Sequence, residues 1–184
     1  LFSALAQGVV AVLAGLMARD FGGKRPAQAL AALAVVISPV ALIAGTLIQY
    51  MAFDYFWWVV LAFFFVRVLA TEDPRWWLGV GAAVGLGMMT KYTILFFVAG
   101  LAAAVLITST RRALRSRYLW FGVGLALLIY LPNLIWQIQH QFISLRFLSE
   151  IHTRDLAWGR GEGFLPKQLY ELSLIHISEP TRPY

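Results

Sequence analysis

The chain contains no cysteine among its 184 residues, so neither a disulfide framework nor a thiolate metal site is available to it. Charge is scarce too. Asp, Glu, Lys and Arg together make up 13% of the residues, about half the share usual in a soluble domain. Acid is the scarcer sign, with 9 Asp and Glu against 15 Lys and Arg. No Walker loop, dinucleotide fingerprint, nucleophile elbow or zincin motif occurs, which removes the usual signatures of a soluble catalytic domain. There is also no internal repeat and no low-complexity linker.

What the chain has instead is hydrocarbon-compatible sequence. Hydrophobic residues make up 60% of it and the mean hydropathy is +0.73, values that point to a polytopic membrane protein. Trp and Tyr gather near the ends of the apolar runs, where their rings suit the headgroup layer. The net charge of +6 could suggest nucleic acid, but the basic residues lie mainly in short gaps between apolar runs. There they set topology. The runs are 1–17, 27–48, 53–70, 76–90, 93–108 and 118–136. No basic stretch precedes the first, so 1–17 reads as a truncated span and not a signal peptide. Arg67 sits near the end of its run and can snorkel. The last residues, "LSLIHISEPTRPY" at 172–184, look like a translated sequencing adapter. They are set aside as a non-native tail, and His176 and Glu179 take no role.

Lys91 is the only charged residue between Trp77 and Thr108. One helix over that whole stretch would be about 48 Å long, against a hydrocarbon core of about 30 Å. Two short spans turning near Thr90–Thr93 fit better, and the loop charges agree. "ARDFGGKRP", "RVLATEDPR" and "TRRALRSR" then all fall on one side, as the positive-inside rule asks. Lys91, residues 46–58 and everything after Trp136 share the opposite, extracytoplasmic side. Beyond Gln137 the apolar positions Phe142, Leu145, Leu148 and Ile151 recur at three-residue spacing. They predict an amphipathic helix along the outer interface. "GRGEGF" at 159–164 reads as a loop.

Four residues carry candidate chemistry, each beside a plainer role. Lys91 with Tyr92 is either a snorkelling anchor at a helix end or an ammonium and hydroxyl placed for an anionic lipid headgroup, with Thr90 and Thr93 as further donors. Asp54 is either the N-cap of a helix beginning at Tyr55 or a carboxylate that orients a hydroxyl, takes its proton or helps hold a cation. His140 is an interfacial histidine, a phosphate ligand or a metal ligand. His152, twelve positions later, offers no ligand spacing with it, so the metal alternative has weak support. Pro132 and Asn133 are expected to kink or end the last span, with Asn133 helping to satisfy freed carbonyls. "GAAVG" at 81–85 is a small-xxx-small pattern that predicts close helix packing.

Three stretches in order, "ISPVALIAGTLIQYMAFDYFWW", "TEDPRWWLGVGAAVGLGMMTKYTILFF" and "YLPNLIWQIQHQF", resemble the bacterial branch of the dolichyl-phosphate-mannose–protein mannosyltransferase family. That branch includes lipid A aminoarabinose transferases and rhizobial galacturonosyltransferase-like proteins. The resemblance implies an all-α, GT-C-type transmembrane bundle of about six spans plus an outer amphipathic helix, in a partial domain over residues 1–171. It implies transfer of a sugar from a polyprenyl-phosphate donor to a lipid, glycan or protein acceptor, at the outer face of the bacterial inner membrane. On this reading Lys91, Tyr92 and His140 bind the donor phosphate. Asp54 supports the chemistry, and the main base belongs to a first outer loop ahead of Leu1. Membrane lipids are expected partners, nucleic acid is not, and no cofactor is assigned, although a divalent metal is compatible with the chemistry. A transporter or flippase for a lipid-linked or anionic substrate is the competing class, and it asks for ionisable groups near mid-membrane. A non-catalytic scaffold is the third.

Overall fold

Apolar runs deprived of water must satisfy their own backbone groups, and a helix does so within a single segment. The computed structural model describes residues 1–46 and 50–158, and they are helical throughout, with no strand among them. In chain order the helices are α1 (Phe2–Asp20), α2 (Arg25–Val36), α3 (Pro39–Thr46), α4 (Tyr50–Thr71), α5 (Trp76–Thr90) and α6 (Ile94–Ile107). A 3-10 helix (Ser109–Arg115), α7 (Arg117–Gln139) and α8 (Ile143–Ala157) follow. They fall into two compact units, Leu1–Leu134 and a second beginning at Ile135. The expected loop at 159–164 and the tail at 172–184 lie outside the described residues.

Of the six expected spans, three become, among the described residues, helices long and apolar enough to cross a membrane: α1, α4 and α7. Helices α2, α5 and α6 are apolar but shorter. The run at 27–48 is not one helix. It breaks at Ser38, because Pro39 has no N–H to continue α2 and the residue before a proline is pushed out of the helical region. Pro39 instead opens α3, where a missing N–H costs nothing. The opposite happens at Pro132. There α7 runs on to Gln139 with the proline inside it, so of the two expected effects, a kink or an end, the proline does not end the span. Asn133 Oδ1 is buried without a hydrogen-bond partner.

Within the first unit, side-chain contacts fix the direction of each helix. Gln7 Nε2 donates to the Ala52 carbonyl at 3.4 Å, and Arg67 Nη1 meets Asp20 Oδ1 at 3.0 Å, so α1 and α4 run parallel. Arg67 also lies over the Trp76 ring, 4.9 Å from its centroid, so α5 starts where α4 ends. Trp77 and Val105 are buried against Val68, which brings the end of α6 to the same place. The three basic connections therefore gather at one end of this unit, with the α5–α6 turn at the other. Midway, α5 and α7 approach closely. A Cβ on Gly81 would collide with the Gly122 backbone, and one on Gly85 would lie 3.0 Å from the Ala126 carbonyl. The small-xxx-small pattern thus packs as expected.

Candidate functional site

Helix α4 begins at Tyr50, one turn earlier than its apolar run suggested. Asp54 is therefore inside the helix and is not its N-cap. It shares a face with Tyr50, four residues back. Across from them, α5 stops because Lys91 takes an extended backbone, φ −161° and ψ 139°. Its N–H still bonds the Gly87 carbonyl at 2.9 Å, and α6 restarts at Ile94.

That turn delivers two polar side chains to Asp54. The Thr93 hydroxyl lies 3.2 Å from each carboxylate oxygen and donates to the pair. Lys91 Nζ is 4.0 Å from Oδ2 and 5.4 Å from the centre of the Tyr50 ring. The carboxylate is largely sheltered, at 17% exposure, while the lysine side chain is 40% exposed. An ammonium has three N–H donors, and one long contact to Asp54 engages it only loosely. Donors facing outward remain for an anion, and the carboxylate keeps the cation from wandering. Thr90, by contrast, donates to the Leu86 carbonyl of its own helix at 3.4 Å and adds nothing to the cluster. Among the described residues, no three His, Asp or Glu side chains converge as metal ligands.

Residues 1–136 match the family described as Dolichyl-phosphate-mannose-protein mannosyltransferase. The chain belongs to that family. Over 78 residues it is 39% identical to the lipid A galacturonosyltransferase RgtD of Rhizobium johnstonii, a stretch covering 42% of this chain and 15% of that protein. No solved structure matches the chain.

The family match includes Asp54, Lys91 and Tyr92 and stops before His140. Tyr92 extends from the same turn, and its hydroxyl accepts from Tyr130 of α7 at 3.2 Å, with the rings edge to face. His140 belongs to the second unit. Its ring stacks on Trp136 with centroids 4.3 Å apart, and Nδ1 lies 2.8 Å from the Trp136 carbonyl. There it acts as a cap on the end of α7. The next two residues, Gln141 and Phe142, take left-handed backbone at φ 53° and 54°, a costly conformation for side-chain-bearing residues. Gln137 fastens this corner, donating to the Ser144 hydroxyl at 2.5 Å. The amphipathic α8 that follows buries none of its residues.

Sequence reasoning missed Tyr50, Tyr130 and the bond from Thr93 to Asp54. The signal for Tyr50 was present: it lies four residues before Asp54, the spacing of one helical turn. Recognising it required starting the helix before the apolar run does.

Proposed function

We propose that the whole protein is an integral-membrane glycosyltransferase that takes its sugar from a polyprenyl-phosphate donor. Lys91 holds the phosphate of the donor. The observation that carries this reading is the half-open cation at a helix break, tethered by an Asp54 that Thr93 holds, but not neutralised in a tight pair.

The chemistry follows from charge. When the acceptor hydroxyl attacks the anomeric carbon, the bond from that carbon to the phosphate oxygen breaks, and the lipid phosphate leaves with added negative charge. An ammonium fixed beside that oxygen stabilises the developing charge more than the ground state. Tyr92 supplies a hydroxyl on the same turn. Asp54 serves as a positioning residue, because its carboxylate is already occupied by Thr93 and Lys91. The proton of the acceptor then goes to a carboxylate elsewhere in the whole protein.

The extracytoplasmic face is the side we assign to this turn, since the basic connections gather at the opposite end of the unit and such connections favour the cytoplasm. Lys91 also lies at the end of two helices. A transporter reading asks for an ionisable group at mid-depth, so the enzyme reading is the better supported.

The test is transfer from a polyprenyl-phosphate sugar by the whole protein in membranes or detergent. Lys91→Ala should lower kcat/KM by about 100-fold, the scale of one lost electrostatic donor, while Lys91→Arg retains part of the rate. Unaltered turnover in Lys91→Ala would rule out the phosphate role.

A further inference from the structure

The end of the first unit opposite Lys91 carries a second juxtaposition. An apolar cavity of about 470 Å³ lies among α4, α5, α6 and α7. It follows α6 from Leu95 to Leu106, about 16 Å of helix. At the basic end its lining includes Trp77, Val105, Leu119, Val123 and Leu114.

Leu114 belongs to the 3-10 helix, which also bears Arg111, Arg112 and Arg115, and Arg117 follows directly. This helix is anchored: Trp120 Nε1 donates to the Leu114 carbonyl at 3.0 Å, and Ala113 packs beside buried Trp77 and Val105. The four arginines are exposed. None of them is in an ion pair among the described residues, and the sequence has no Asp or Glu between Asp73 and Glu150. Four guanidinium groups, none of them ion-paired among the described residues, thus flank Leu114, which lines one end of a wholly apolar groove.

Topology signalling alone needs the charges but not the groove. A soluble anion or nucleic acid would use the charges and leave the groove exposed to water. One ligand chemistry uses both: an anionic headgroup joined to a hydrocarbon chain. We propose that this end of the unit binds an anionic phospholipid of the cytoplasmic leaflet. Its phosphate rests on Arg112, Arg115 and Arg117, and an acyl chain lies in the groove between α6 and α7. Guanidinium groups suit a phosphate through paired N–H donors, and the leaflet itself concentrates such lipids. The proposal does not depend on sugar transfer at the Lys91 end.

The experiment places the whole protein in phosphatidylcholine nanodiscs with a trace of acyl-chain spin-labelled phosphatidylglycerol or, in parallel, equally labelled phosphatidylcholine. The immobilised fraction should be at least threefold larger for the anionic lipid. It should fall to the phosphatidylcholine level in the Arg112→Gln, Arg115→Gln, Arg117→Gln triple variant. Val123→Trp fills the groove with the arginines intact and should also release the chain. Equal immobilisation of the two lipids in the unaltered protein overturns the proposal, as it would if another segment of the whole protein or a partner filled the groove. So does a preference that survives either variant. Native mass spectrometry of the unaltered protein gives a reading independent of variant folding. Retention of one phosphatidylglycerol per chain supports the site, and retention of none, or of phosphatidylcholine equally, removes it.

Discussion

Two acid–cation pairs stand at opposite ends of the first unit, Asp20 with Arg67 and Asp54 with Lys91, and they are built differently. Asp20 and Arg67 meet at 3.0 Å, with side-chain exposures of 6% and 22%, and the guanidinium is sandwiched against the Trp76 ring. Asp54 and Lys91 stand 4.0 Å apart at 17% and 40% exposure. The first is a latch. Its geometry is closed, its arginine is planar and weakly hydrated, and its face is covered by an aromatic ring. The second is poised. Its lysine is a hydrated point charge, loosely held and open on one side. A pair at that distance with a half-open lysine adds little stability, so its arrangement is better understood as placing a cation than as holding helices together. Residue types alone do not separate the two pairs, whereas distance and burial do.

That contrast can be broken by experiment. The largest effect should come from Asp20→Ala, which leaves Arg67 partly buried without its acid and costs about 3–5 kcal/mol of stability, read as a drop in Tm in detergent. Asp54→Ala should cost far less, and equal losses at the two positions would erase the distinction. Lys91→Ala should leave Tm nearly unchanged while removing about 2.7 kcal/mol of transition-state stabilisation, the equivalent of the 100-fold loss proposed above. A variant that unfolds would instead make Lys91 a second latch.

Gly81→Val tests the frame between the two ends. A branched side chain would meet the Gly122 backbone and should cost about 1–3 kcal/mol through overpacking, with stability and activity falling together. Thr93→Val is the mildest change. It removes the donor to Asp54 and should cost about 1 kcal/mol. The freed carboxylate should then draw Lys91 closer and raise KM for the phosphate donor more than it lowers kcat.

Much of this architecture was legible in the residues. The reversal at Lys91 could be read because a continuous helix there would be too long and would place four arginines on the wrong side. The glycines of "GAAVG" announced a close approach, and the structure puts α7 against them. The breaks were harder. Pro39 and Pro132 are the same residue type, yet one separates two helices and the other sits within a third. Local chemistry permits both outcomes. A helix can tolerate a proline when neighbouring turns and packing compensate for its lost bond, and which case applies depends on the surroundings. The start of α4 was also misjudged, because polar Asp54 looked like a boundary when judged by hydrophobicity alone. Its partners make it an interior residue: Tyr50 precedes it by one turn, and Thr93 arrives from 39 residues away.

By itself the sequence determined the helical state, the fit to a bilayer, the turn at Lys91 and the gathering of basic loops on one side. Each follows from local composition, periodicity and charge counting along the chain. Only the tertiary structure decided which acid meets which cation. It joined Asp20 to Arg67 and Asp54 to the Lys91–Thr93 turn, and set Leu114 of the arginine-bearing 3-10 helix against an apolar groove. Such pairings depend on how helices pack sideways, and the repeat of a single helix carries no information about which neighbour its polar face will find.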